Sequence, residues 1–84
     1  MYRVTTDVES AEQVSTLPAE AFVGYIAVVG VLELVPWNGQ PYSDADPDGV
    51  MRQWVFGPRG EGLVTYLSLE DQRRVDVLRV TWVG

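Results

Sequence analysis

Three residue types that carry much of enzyme chemistry are absent from this 84-residue chain: cysteine, histidine and lysine. Without cysteine there are no disulfides, no thiolate nucleophiles and no cysteine-ligated zinc or iron–sulfur sites. Without histidine and lysine, the Ser-His-Asp triad, imidazole metal sites, Schiff bases and the P-loop lysine are excluded. Any catalysis therefore depends on arginine, carboxylates, tyrosine or hydroxyls, and we expect no cofactor and no metal ion.

Basic charge is scarce as well, since six arginines stand against 12 acidic residues and the net charge is −6. Such a charge repels a phosphate backbone unless the arginines gather on one face. Five of the six arginines lie in residues 50–84, beside four carboxylates, whereas residues 1–49 hold one arginine and eight carboxylates. The C-terminal half is therefore the half that we expect to meet nucleic acid.

Nothing in the chain predicts more than one domain or a membrane segment. The apolar fraction of 46% with three Trp predicts that residues 1–84 fold as one small domain. The N-terminus has no cationic segment followed by an apolar one, which predicts a cytoplasmic location. The run from Leu17 to Val35 is apolar, but Glu20 and Glu33 lie inside it and no basic residues flank it, which favours a buried helix over a membrane span.

The order of apolar periods and turn residues predicts an α+β fold. A short β-prone segment opens the chain, and apolar residues at every third position then predict a first helix that ends near Ser15. A second helix begins at Pro18 and runs through Leu34, because Pro36 pushes Val35 out of the helical region, and a turn-rich loop covers residues 37–49. Three strands follow, at Val50–Phe56, Leu63–Leu69 and Arg73–Val83. The prediction is β-α-α-β-β-β, a helical hairpin packed on a mainly antiparallel four-stranded sheet.

The second helix carries two apolar strips, although packing on a sheet buries only one. One strip contains Phe22, Ile26 and Val29. The nearly opposite strip, which we predict to bind a partner, comprises Gly24, Ala27, Val31 and Leu34. Either the first helix covers the spare strip, or a partner protein or a second copy of the chain does.

The 37–49 loop has the carboxylate spacing of half a calcium loop, in Asp44, Asp46 and Asp48 followed by Gly49. The twelfth position of such a loop needs a bidentate glutamate, but Val55 stands there, inside a predicted strand. The pattern therefore favours a solvated turn over a metal site.

Several segments together resemble the RelE/ParE superfamily of toxins from type II toxin–antitoxin pairs, over essentially the whole chain. The segments are Tyr2-Arg3-Val4, Leu17-Pro18, Leu32-Glu33-Leu34-Val35-Pro36, Arg52, Gly60-Glu61-Gly62-Leu63-Val64-Thr65-Tyr66 and Val75-Asp76-Val77-Leu78-Arg79-Val80.

The resemblance implies a toxin that a cognate antitoxin protein holds inactive and that cuts messenger RNA on the ribosome. Members with this activity stabilise the phosphate with basic residues on the sheet and use a polar residue as acid or base. The resemblance implies these catalytic candidates in this chain: Arg52, Arg59, Tyr66 and Arg79.

At two places the chain differs from the ribonuclease members. Leu63 stands where they have an arginine before the strand tyrosine, and Trp82 and Val83 stand where they have a basic pair. Two alternatives therefore stay open: a non-catalytic binding module on the same fold, either a gyrase inhibitor or an inactive paralogue, and a homodimeric structural domain.

Overall fold

The computed structural model describes the whole chain, Met1–Gly84, and contains two helices and five strands. In chain order these are β1 (Arg3–Thr6), α1 (Val8–Ser15), α2 (Ala19–Leu34), β2 (Gln40–Pro41), β3 (Met51–Phe56), β4 (Gly62–Leu69) and β5 (Arg74–Trp82). Short 3-10 turns at Pro36–Asn38 and Glu70–Gln72 follow α2 and β4.

The five strands form one mixed sheet in the order β1-β5-β4-β3-β2. β1 runs parallel to β5, and every other neighbouring pair is antiparallel. The α+β class is confirmed, but the predicted count of four strands is wrong. β2 was missed because it is only Gln40 and Pro41, too short for any alternation of apolar and polar residues and placed at the sheet edge, where proline is tolerated.

Helix α1 lies along the edge of β5, beyond the point where β1 ends. Asp7 caps the helix by accepting a hydrogen bond from the Ser10 backbone N–H at 2.8 Å. The Ser10 hydroxyl donates to the carbonyl of Val77 at 3.1 Å, and the Gln13 side-chain oxygen accepts from the N–H of Val80 at 2.7 Å. These bonds occupy strand-edge groups that would otherwise be unpaired. Helix α1 thus packs mainly on β5 and β1, so the alternative in which the first helix covers the spare strip of α2 is not the one that the structure adopts.

Helix α2 packs on one face of the sheet through a strip that repeats every three or four residues. Its buried members are Ala21, Tyr25, Val28 and Leu32. The last three form the core together with Tyr2, Phe56, Val64, Tyr66, Val75, Val77 and Val80. This strip lies between the two strips predicted from the sequence. A helix that is apolar nearly all round gives no pattern from which to choose its buried face.

Glu70 ties three separate parts of the chain together at one end of the sheet. Its carboxylate accepts from the Tyr2 hydroxyl at 2.5 Å, from the Trp37 indole N–H at 2.8 Å and from the Arg73 guanidinium at 2.9 Å. The Arg73 guanidinium also lies 4.2 Å from the centre of the Tyr2 ring. The hydrogen bonds from Tyr2, Trp37 and Arg73 hold the pKa of Glu70 below its ordinary value.

Candidate functional surfaces

The sheet face opposite α2 is not covered by any element of the chain. Strand residues alternate between the two faces, so the neighbours of the core residues Val64 and Tyr66 point to this open face. Most of its apolar part comes from residues of β3 and β4, which are Met51, Val55, Leu63, Leu67 and Leu69. The open face is therefore partly apolar, and the arginines on it lie on β1 and β5.

A β-bulge in β5 lets two consecutive residues lie on the open face. Val77 and Val80 are both core residues, and the register shifts between them because Thr65 of β4 faces Arg79 while Tyr66 faces Val77. Leu78 is the extra residue. Bulges of this kind are frequent beside functional sites. The bulge leaves Arg79 exposed on the open face, next to Leu78.

Arg79 lines a cavity of about 230 Å³, which we call the arginine cavity. Its other residues are Glu9, Tyr42, Met51, Thr65 and Leu78. No hydrogen bond or ion pair joins the side chains of Glu9, Tyr42 or Arg79 to another protein group, although these side chains line the same space. A cation, a carboxylate and a phenol are thus available to a bound molecule. Glu9 and Tyr42 were not among the predicted site residues, because each lies in an element where solvent exposure is ordinary.

Arg74 lies on the same face, but its charge is already used. Its guanidinium donates to both carboxylate oxygens of Asp76, at 2.7 and 3.1 Å, and the Thr5 hydroxyl also donates to Asp76, at 2.8 Å. The hydrogen bonds from Arg74 hold the pKa of Asp76 below its ordinary value. Arg79 is therefore freer than Arg74 to meet an anion.

Of the predicted catalytic residues, Arg52 lies on the opposite face of the sheet and is buried. Its guanidinium donates to the carbonyls of Gly39 at 3.1 Å, Pro47 at 3.3 Å and Gly49 at 3.0 Å. It also lies 5.4 Å from the centre of the Trp37 ring. Arg52 thus stabilises the segment between Pro36 and Val50 by hydrogen bonds to its backbone.

Tyr66 is also buried on the helix-covered face and is 0% exposed. Its hydroxyl donates to the carbonyl of Pro36 at 2.7 Å, and burial raises its pKa to about 12. Arg59 lies at the other extreme, exposed in the turn between β3 and β4, where Gly57 and Gly60 have positive φ. Of the four predicted residues, Arg52 and Tyr66 are thus brought together as a strand pair on the covered face. Arg59 and Arg79 lie apart from them, and Arg79 is the one on the open face beside a cavity.

The second uncovered surface is the outer face of α2. The apolar residues exposed there, which we call the α2 band, are Phe22, Val23, Ile26, Ala27 and Leu34, with Gly30 among them. Of the four residues predicted to bind a partner, Ala27 and Leu34 are exposed, whereas Gly24 and Val31 lie half-buried at the margin. An apolar surface of this kind typically marks a protein-binding site.

The structure contains neither a membrane-spanning helix nor a metal-ligating cluster. No helix combines the length and the apolar character that crossing a bilayer requires. No group of three or more acidic side chains lies close enough to hold a metal ion, so Asp44, Asp46 and Asp48 do not form one.

Comparison with known proteins finds matches by structure but none by sequence. No protein-family model matches the sequence, and no curated protein matches it either. Among solved structures, the isolated E. coli RelE toxin superimposes with a TM-score of 0.79 at 10% identity, over 100% of this chain and 86% of that one. The chain has the RelE fold.

Two further structures with the RelE fold come from toxin–antitoxin complexes. The intact E. coli RelBE complex gives a TM-score of 0.75 at 11% identity, with 100% of this chain and 99% of that chain covered. The archaeal RelE–RelB complex from Pyrococcus horikoshii gives 0.68 at 17% identity, with 99% and 96% covered. The RelE fold thus spans essentially the whole chain.

Proposed function

We propose that this chain is the toxin of a type II toxin–antitoxin pair and that it cuts messenger RNA on the ribosome in the cytoplasm. The observation that carries the proposal is the RelE fold over the complete chain, shared with an isolated toxin and with two toxin–antitoxin complexes. The uncovered sheet face, with the unpaired Arg79, supports RNA as the ligand, and the uncovered α2 band supports a protein partner.

The α2 band fits an antitoxin better than a second copy of this chain. Glu20 and Glu33 lie near the two ends of the helix, and α2 has no basic residue. Antiparallel pairing of two copies through this band would set Glu20 of one copy close to Glu33 of the other, and the like charges would repel. We therefore assign the band to an apolar segment flanked by lysine or arginine, contributed by the antitoxin.

In the proposed reaction Arg79 neutralises the phosphate at the cleavage point. Preorganised cations of this kind stabilise the charge that develops in phosphoryl transfer, and loss of one such donor costs on the order of 10² to 10³ in rate. Arg52 and Tyr66 act as positioning residues, since they hold the segment that carries Tyr42. Arg59 is assigned to the RNA backbone outside the cavity.

The test of the proposal is expression in bacteria that lack the antitoxin. We expect growth arrest together with cuts in ribosome-associated mRNA, mapped by primer extension, and we expect Arg79→Ala to abolish the cuts. Gln72→Ala, an exposed change away from both surfaces, is the matched control and retains both effects. Full growth with wild-type protein at a level visible on a gel would overturn the proposal.

The antitoxin surface is tested by co-expression with the antitoxin, and the first candidate to try is any small open reading frame adjacent to the gene. Ala27→Glu places a charge inside the α2 band, so this variant is expected to stay toxic in the presence of the antitoxin. Val8→Glu, a change at an exposed apolar residue of α1, is the control and should still be neutralised. If Ala27→Glu is neutralised as well as wild type, the antitoxin does not use the band.

A second candidate is a non-catalytic toxin that blocks a protein target. The observations that favour it are the net charge of −6 and the presence of Glu9 in the arginine cavity, both of which oppose phosphate binding. Growth arrest without mRNA cuts, unaffected by Arg79→Ala, would select this candidate over the ribonuclease.

A further inference from the structure

Four polar residues form one straight row across the open face. Gln40 of β2 pairs with Gln53 of β3, Gln53 pairs with Thr65 of β4, and Thr65 pairs with Arg79 of β5. Directly paired residues of neighbouring strands point to the same face, so all four side chains share it. We call this set the polar row. It crosses three inter-strand spacings, which is about 14 Å.

Apolar residues border the polar row on both sides. One neighbouring row contains Met51 paired with Leu67, and the other contains Val55 paired with Leu63. A polar track between two apolar borders suits a ligand that combines flat apolar faces with hydrogen-bonding edges, as nucleotides do.

The two ends of the polar row open into two separate cavities. Thr65 and Arg79 line the arginine cavity at one end. Gln40 and Gln53 line a second cavity of about 240 Å³, which we call the amide cavity. Asn38 adds a third carboxamide to the amide cavity. The polar row thus joins a cavity that offers a cation to one that offers carboxamides.

The polar side chains of the row have no partners inside the protein. No hydrogen bond joins the side chains of Gln40, Gln53, Thr65 or Arg79 to another protein group, whereas the guanidinium groups of Arg52 and of Arg74 are bonded to protein oxygens. Donors and acceptors at both ends are therefore available to an external ligand.

We propose that the polar row binds single-stranded RNA with a phosphate at Arg79 and an adenine base in the amide cavity. Arginine is the preferred side chain for phosphate, and a glutamine carboxamide matches the N6 and N7 edge of adenine with two hydrogen bonds. The inference rests on the proposed function for its ligand class, RNA, and adds to it the base that the protein selects.

Glu9 sets an upper limit on the affinity of this site. It is the one carboxylate that lines the arginine cavity, and it makes no ion pair with Arg79. A phosphate next to Arg79 therefore meets a nearby negative charge as well. Replacing Glu9 by glutamine should tighten RNA binding whatever the base.

The experiment measures binding of fluorescein-labelled oligo(rA) and oligo(rU) to the purified chain by anisotropy over a series of salt concentrations. Wild type should prefer oligo(rA). Gln53→Ala should reduce that preference by about 5- to 150-fold, the discrimination expected of one bidentate contact, and should leave the salt dependence unchanged. Arg79→Ala should weaken both complexes alike and lower the slope of log K against log salt by about 0.7, the value for one phosphate contact on a single strand.

Control variants separate these effects from general loss of structure. Gln72→Ala removes an exposed carboxamide outside the polar row and should bind as wild type does. Arg79→Lys keeps the charge and should restore the salt slope. Equal affinity of wild type for oligo(rA) and oligo(rU) would overturn the assignment of the amide cavity, and an unchanged slope in Arg79→Ala would overturn the assignment of the phosphate.

The outcome is distinguishable from a failure of the proposed function. Growth arrest with mRNA cuts but no adenine preference refutes the polar row alone. An adenine preference in a chain that has no effect on growth refutes the toxin function and leaves the binding site in place.

Discussion

Replacing Tyr66 with phenylalanine tests whether a buried hydroxyl holds the end of α2 to the sheet. The hydroxyl donates to the Pro36 carbonyl at 2.7 Å in a region without solvent exposure. Its removal leaves that carbonyl without a partner, which costs about 1 to 3 kcal/mol of the free energy of unfolding. In a domain of this size each kcal/mol shifts the melting temperature by about 4 to 8 °C, so Tyr66→Phe should melt about 4 to 24 °C below wild type.

The Tyr66 hydroxyl also predicts how the stability gap, the difference in unfolding free energy between wild type and Tyr66→Phe, depends on pH. The pKa of Tyr66 is raised from 10.0 to about 12 in the folded chain, so the unfolded chain loses this proton first as the pH rises. The stabilisation is fully present below pH 10 and is lost as the pH rises through 12, by roughly 2 to 3 kcal/mol at about 1.4 kcal/mol per pH unit. Urea denaturation of wild type and Tyr66→Phe from pH 8 to pH 12 should therefore show the gap closing. A gap that stays constant over this range would refute the buried donor.

Gly39 provides an independent check, because a Cβ at this position would overlap the Tyr66 hydroxyl and approach the ring carbon that bears it to 2.9 Å. Gly39→Ala should therefore be strongly destabilising in wild type and less so in the Tyr66→Phe background. The double-mutant cycle should give a coupling of about 0.5 to 3 kcal/mol. Equal costs of Gly39→Ala in the two backgrounds would mean that the hydroxyl is elsewhere.

Two further predictions concern other parts of the fold. Glu70→Gln should make the melting temperature fall less steeply as the pH is lowered into the acid range. Because the pKa of Glu70 is lowered in the folded chain, its carboxylate stabilises the fold above the ordinary pKa of 4.5, and this stabilisation is lost as the pH falls through the folded pKa. Thermal melts of Glu70→Gln with the same acid dependence as wild type would contradict the network around Glu70. Leu32→Ala should lower the free energy of unfolding, measured by urea denaturation, by about 2 to 5 kcal/mol, because Leu32 is 0% exposed. Leu34→Ala on the same helix, where the side chain is 66% exposed, should lower it by less than about 0.5 kcal/mol. Similar losses in the two variants would mean that α2 buries a different face.

The sequence was sufficient for the class of fold and the order of its elements, because helix and strand periods and the turn residues between them are local signals. It was insufficient to predict which face of α2 is buried. A helical wheel identifies the buried face by the difference between an apolar side and a polar side, and α2 is apolar nearly all round. Tyr25 and Leu32 face the sheet because their side chains pack against the core residues of the strands, and the spacing of apolar residues along the helix does not specify this packing.

The candidate site was harder to predict for a related reason. In β3, Arg52 shares its face with Trp54 and Phe56, and that parity was a sign in the sequence that Arg52 points inward. In β5, the alternation of valines slips by one at Leu78, which was the sign of the bulge. The alignment of Gln40, Gln53, Thr65 and Arg79 depends on the register of four strands, and register is set by tertiary packing.

Arg52 has a consequence for ligand binding although it touches neither cavity. One guanidinium fastens the segment from Gly39 to Gly49 at three carbonyls, and that segment contributes Gln40 and Tyr42 to the two cavities. The cavity walls are thus ordered before any ligand arrives, so binding does not incur the entropy of ordering a loop. Lysine has one donor group where arginine has a rigid fork, which is why the preorganisation of both cavities depends on arginine at this single buried position.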